Sequence, residues 1–188
     1  ELQPPGAPVT PPKVEWQSEF GSPGNYFGEK NLNALVSGGR ARLDRHAKTI
    51  AAIEKAYGVP GKILVAIWGR ESGFGNASIP KSAIRVLATQ GFMGARKQTF
   101  QPEFIAALKI LERGDISVEG MRSSWAGALG QPQFLPSVFL AHAVDFDGDG
   151  RRDIWDSVPD TLASIAKYLR DEGWDPSRGW GLEARVPA

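Results

Sequence analysis

Two sets of acids in this chain have a setting or spacing that could do chemistry. The first is one residue, Glu71, which closes the run Ala66-Ile67-Trp68-Gly69-Arg70-Glu71-Ser72-Gly73-Phe74-Gly75. If the apolar stretch before it is a buried helix, Glu71 meets the negative end of the helix dipole. Its apolar neighbours also strip water from the charged form. Both effects favour a protonated carboxyl near neutral pH, the state a general acid needs. Arg70 opposes them if it pairs with Glu71, but adjacent helix positions point about 100° apart. Taken alone, the segment is better explained by a helix-terminal glutamate that simply reaches solvent.

The second set is Asp145-Phe-Asp-Gly-Asp-Gly-Arg-Arg-Asp-Ile-Trp-Asp156. Counted from Asp145, acids fall at positions 1, 3, 5, 9 and 12 (Asp145, Asp147, Asp149, Asp153 and Asp156), with glycine at position 6. That is the ligand spacing of an EF-hand calcium loop. Arg151, at position 7, would offer its backbone carbonyl. Asp156 stands where a sensor loop usually has Glu, which weakens bidentate ligation. An Asp/Gly-rich surface turn without metal is the bland alternative; the order of five acids favours calcium. A single loop with a short entering helix suits a structural staple better than a signalling pair. It also removes these carboxylates from any set of catalytic acids.

A third segment, Ser123 to Ser137, mixes glycines and small residues with Ser124, Gln131 and Gln133. Uncharged hydrogen-bonding groups on a closely approaching backbone suit a sugar groove. A tight Gly/Ala helix-packing segment explains the same residues equally well.

These residues need elements to position them. Leu43, Ala47, Ile50, Ile53 and Tyr57 recur at helical spacing, and Gly58 then Pro60 end that segment. Ile63 to Trp68 is apolar on all sides, strand or helix by periodicity alone; its helical surroundings favour a central buried helix. Pro102 opens a helix with Phe104, Ile105, Leu108 and Leu111 on one face, and Gly114 follows its end. Pro136 starts a short helix, and Ser157-Val158-Pro159-Asp160 caps another that Gly173 stops. No stretch alternates convincingly for a sheet, so the fold class is mainly α. Residues 1–28, rich in proline and glycine, form an extended arm that Trp16, Phe20, Tyr26 and Phe27 could pin down; residues 29–188 form one domain.

Composition narrows the function. A net charge of +1 gives no electrostatic case for nucleic acid. No apolar run approaches the roughly 20 residues of a membrane span. Absence of cysteine excludes a disulfide scaffold, a thiolate zinc site and a cysteine nucleophile. Six tryptophans suit an aromatic core, a carbohydrate cleft, or both.

Together the chain resembles the catalytic domain of lytic murein transglycosylases of the membrane-bound lytic transglycosylase B type. The likeness is carried by Tyr57-Gly58-Val59-Pro60, Ile67 to Gly75, Leu87-Ala88-Thr89, Ala106 to Leu111, Ser124 to Ser137 and Ala143 to Trp155. It implies a lysozyme-like helical fold and peptidoglycan glycan strands as the partner. It also implies cleavage of the β-1,4 bond between N-acetylmuramic acid and N-acetylglucosamine, leaving 1,6-anhydromuramyl ends. Glu71 matches the family's single catalytic glutamate, acid first and base afterwards. Ser124 and Gln133 match substrate-contacting positions, and Tyr168 a tyrosine at the cleft, although a core aromatic explains Tyr168 as well. A two-carboxylate hydrolase would need a second acid about 5–10 Å from the first, and neither segment supplies one. The resemblance implies a periplasmic monomer, outer-membrane associated if a lipoprotein segment has been removed. Family members usually continue past Pro187, so part of the usual cleft wall is expected to be missing or supplied by something else, and a cell-wall protein is a candidate partner. The competing readings are a hydrolytic muramidase, a non-catalytic peptidoglycan-binding or scaffold protein of the same fold, and a calcium sensor.

Overall fold

The computed structural model describes residues 28–181 and Ala184. The arm expected over residues 1–28, with Trp16, Phe20, Tyr26 and Phe27, lies outside the described residues apart from Gly28. Among those described, the chain is helical: α1 (Glu29–Arg45), α2 (Ala47–Tyr57), α3 (Gly61–Ser72), α4 (Ala83–Phe92), α5 (Lys97–Glu112), α6 (Pro136–His142) and α7 (Val158–Asp171). Two short strands, β1 (Lys81–Ser82) and β2 (Arg122–Ser123), pair antiparallel, with Lys81 opposite Ser123 and Ser82 opposite Arg122. The sequence carries no alternation to announce strands this short.

The apolar run is a helix, α3, and it forms the spine of the core. It packs against α1, α2 and α7, while α4 pairs with α5 and α5 with α6. Leu64, Val65 and Trp68 are buried in one cluster with Ile53, Leu162 and Ile165. The helix is not apolar on all sides in its setting: Lys62, Ala66 and Arg70 are exposed along one stripe. That stripe leaves one side of α3 open.

Two other expectations needed correction. Leu43 to Tyr57 is not one helix: the chain turns at His46 (φ −107°, ψ 21°), whose ring meets Trp68 edge-on at 6.0 Å. The helix expected to open at Pro102 is α5, which starts at Lys97, so Pro102 lies inside it. Its buried face is Phe100, Glu103, Ala106, Ala107 and Ile110, whereas Ile105 and Leu108 are exposed. Alanines supply the close contact there, which allows larger residues to point outward. The predicted cap at Ser157 is present, its hydroxyl accepting from the Asp160 N–H at 3.3 Å.

Candidate active site

Glu71 stands in the last turn of α3. The helix ends there because Gly73 takes a left-handed conformation (φ 56°) and returns its N–H to the Gly69 carbonyl at 3.0 Å. Phe74 then folds back over the helix end. A Cβ on Gly69 would lie 2.7 Å from the Phe74 ring, so only glycine allows that return. Phe74 packs edge-on against Trp68 (5.6 Å), and the Arg42 guanidinium lies over its other side, 4.5 Å from the ring centre. This fixed helix end holds Glu71 at the open side of the spine.

The carboxyl of Glu71 opens into a cavity of about 270 Å³. Ile67, Leu135, Val138, Ile165 and Leu169 give it apolar walls, and Gln133 and Tyr168 add polar groups. Glu71 is the one carboxylate among these lining residues, and it accepts no hydrogen bond from any described residue. Its surface is open to the cavity mouth, as befits an acid that must reach a ligand. The surrounding walls still remove enough water to raise its pKa, with the Arg70 charge opposing that shift.

Gln133 reaches the cavity from an irregular loop. Its backbone is left-handed (φ 54°), and its amide donates to the Gly130 carbonyl at 2.8 Å. Tyr168, half-buried on α7, lies beside Phe134 (5.6 Å) and edge-on to His142 (5.2 Å), whose Nδ1 is 3.1 Å from Asp171. Ser124 is not among the residues lining this cavity. Its hydroxyl oxygen accepts from the N–H groups of Ala126 (3.3 Å) and Ala128 (3.2 Å), shaping the turn that precedes Gln133.

Gln131, grouped with the groove residues by sequence, serves as a buried bracket. Its Oε1 accepts from the Trp68 indole at 2.7 Å, and its Nε2 donates to the Trp155 carbonyl at 2.7 Å. One side chain thus ties the helix of Glu71 to the end of the acidic loop. The apolar wall was readable in principle: Ile67 and Glu71 are four apart on one helix, as are Ile165 and Leu169.

The acidic loop leaves α6 and leads into α7. Oxygens of Asp145, Asp147 and Asp149 lie within 4.8 Å of one another, a set suited to a hard cation such as Ca²⁺. Asp153 and Asp156 are outside that group: Asp153 caps the N–H groups of Trp155 and Asp156 at 2.9 Å, and Asp156 is exposed. Arg151 does more than offer a carbonyl: its backbone N–H donates to Asp149 at 2.9 Å and its guanidinium pairs with it at 3.2 Å, and in that order they hold the carboxyl below its ordinary pKa. Sequence reasoning missed Asp160. It is fully buried at the start of α7 and accepts from the N–H groups of Phe146 (2.8 Å), Asp147 (3.3 Å) and Asp153 (2.8 Å). Burial raises its pKa, and those three bonds oppose the rise. Arg152 anchors the loop from the other side through a two-pronged bond to Asp115.

The family profile described as Transglycosylase SLT domain matches residues 8–188. The chain belongs to the transglycosylase SLT family. Membrane-bound lytic murein transglycosylase B of Escherichia coli (strain K12) is 36% identical over 121 residues, which cover 64% of this chain and 33% of that protein. The crystal structure of SltB3 from Pseudomonas aeruginosa in complex with NAG-anhNAM-pentapeptide superposes with a TM-score of 0.79 at 45% identity. That match covers 85% of this chain and 44% of SltB3. The Escherichia coli lytic transglycosylase SLT35 in complex with calcium gives a TM-score of 0.69 at 29% identity, over 80% of this chain and 47% of that one. The SLT chain described here therefore spans less than half the length of these relatives. Its mainly helical architecture is the lysozyme-like SLT fold.

Proposed function

We propose that residues 29–188 form the catalytic domain of a peptidoglycan lytic transglycosylase that cleaves the β-1,4 bond between N-acetylmuramic acid and N-acetylglucosamine. The observation that carries this reading is Glu71: a carboxyl with a raised pKa that faces an apolar-walled cavity and has no hydrogen-bond donor among the described residues. Family membership and the glycopeptide held by SltB3 support peptidoglycan as the substrate class.

The chemistry needs one group. Protonated Glu71 donates its proton to the departing glycosidic oxygen as the C1–O bond breaks. The resulting carboxylate then takes the proton of the muramyl 6-hydroxyl as O6 closes on C1. The 1,6-anhydro ring forms, no water is consumed, and Glu71 ends protonated as it began. Ile67, Leu135 and Leu169 keep the carboxyl poor in water, so the uncharged form stays populated. Gln133 and Tyr168 contact the sugar from the cavity wall, and Ser124 contacts glycan from its neighbouring turn.

The loop fits a calcium ion by the chemistry of its donors. Asp145, Asp147 and Asp149, with the Arg151 carbonyl, Asp153 and Asp156, would hold it, and the ion would tie α6 to α7. The calcium complex of SLT35 supports this role in a relative. In this reading the protein acts as a periplasmic monomer. No helix among the described residues is long and apolar enough to cross a membrane.

Mass spectrometry of products released from purified peptidoglycan tests the reaction. Anhydromuramyl ends, one water lighter than hydrolysis products, are expected. Hydrated reducing ends would make the protein a muramidase, and absence of products would leave a binding protein.

A further inference from the structure

A second groove lies away from the Glu71 cavity. Lys81, Ser82, Arg85, Thr89, Gln90 and Trp125 line about 360 Å³ between β1, α4 and the turn after β2. Trp125 is 51% exposed and presents its indole to this groove. Lys81 and Arg85 are exposed, and among the described residues neither has an ion-pair partner. No acid occurs between Glu71 and Glu103, a stretch that also holds Arg96 and Lys97. In a chain of net charge +1, this is a local concentration of unanswered positive charge.

The groove is joined to the cavity by one loop. Lys81 pairs with Ser123, Trp125 follows, and the loop returns through Leu129, which bridges to both Ser123 and Phe134. Gln133, beside Phe134, lines the Glu71 cavity. A ligand held at the cavity therefore has Trp125 and the two cations at the other end of the same loop.

We propose that this groove binds the peptide stem of the glycan strand. The inference rests on the reading of the protein as a peptidoglycan enzyme. Stem carboxylates answer Lys81 and Arg85. Ser82, Thr89 and Gln90 are neutral hydrogen-bonding groups suited to peptide amides, and the Trp125 indole covers the apolar carbons. Five extended residues reach about 17 Å. A polyanion such as nucleic acid would need more positive charge than the molecule carries.

The test is binding of a soluble N-acetylglucosaminyl-N-acetylmuramyl pentapeptide and of the same disaccharide without its peptide, followed by NMR of the Trp125 indole N–H. The signal is expected to move with the peptide-bearing ligand only. Lys81→Gln with Arg85→Gln should weaken that ligand about five- to tenfold, and the peptide-free disaccharide less than about twofold. An unmoved indole, or equal weakening of both ligands, would overturn the proposal. So would loss of binding to anionic phospholipid vesicles with unchanged muropeptide affinity. Peptide-dependent binding without anhydromuramyl products would keep the groove and remove the catalytic reading; products without peptide-dependent binding would do the reverse.

Discussion

Glu71 and Asp160 begin with the same problem and are given opposite surroundings. Burial raises the pKa of each. Asp160 is answered by three backbone N–H groups at 2.8–3.3 Å, and it holds together the loop that supplies them. Among the described residues Glu71 is answered by no hydrogen bond, and the nearby Arg70 charge opposes the shift. A carboxyl saturated with donors is a structural part. One kept without donors, at the mouth of an apolar cavity, remains free to trade its proton.

The largest expected effect separates the two in activity. Glu71→Gln should lower turnover on glycan strands by about 10²–10⁴-fold, the usual worth of a general acid, with its thermal melt at or above wild type. Retention of full turnover would place Glu71 with the structural acids. Next comes the ion. If calcium stands 100- to 1,000-fold above its dissociation constant, chelation should remove about 3–4 kcal/mol of stability. Thermal melts with and without chelator read this, and identical curves would mean that the loop stands without metal. Asp160→Ala should cost about 2–3 kcal/mol by orphaning N–H groups in the loop, measured by denaturant unfolding, while turnover per folded molecule stays close to wild type.

The smallest effect is a pH dependence of stability. The folded-state pKa of Glu71 lies above the unfolded value, so the native state holds this proton longer. Its contribution is fully present below the unfolded pKa and is lost as pH rises through the folded one. The stability of Glu71→Gln relative to wild type should therefore rise across that window and level off above it.

Much of this arrangement was legible in the chain. Glu71 at the end of an apolar run and the close spacing of Asp145, Asp147 and Asp149 are local patterns, and local patterns survive folding. The caps at Ser157 and Gly58 were legible for the same reason. The partners were not. Gln131 joins Trp68 to Trp155 across the fold, and Asp160 serves N–H groups seven to fourteen residues before it. Nothing in local spacing marks such bonds. The face of α5 was misjudged because size was taken for burial: Ala106 and Ala107 pack closely while Ile105 and Leu108 point out. The hydroxyl of Ser124 also accepts from two N–H groups of its own turn, a local bond that the residue type alone does not announce.

The most direct test of the central claim is an NMR titration of the Glu71 carboxyl carbon, assigned by its disappearance in Glu71→Gln. An acid with no donor among the described residues, walled by Ile67, Val138 and Leu169, should titrate above the ordinary glutamate value of 4.5. A midpoint at or below 4.5 would mean that the carboxyl is solvated or paired, and that the cavity does not prepare it to give up a proton.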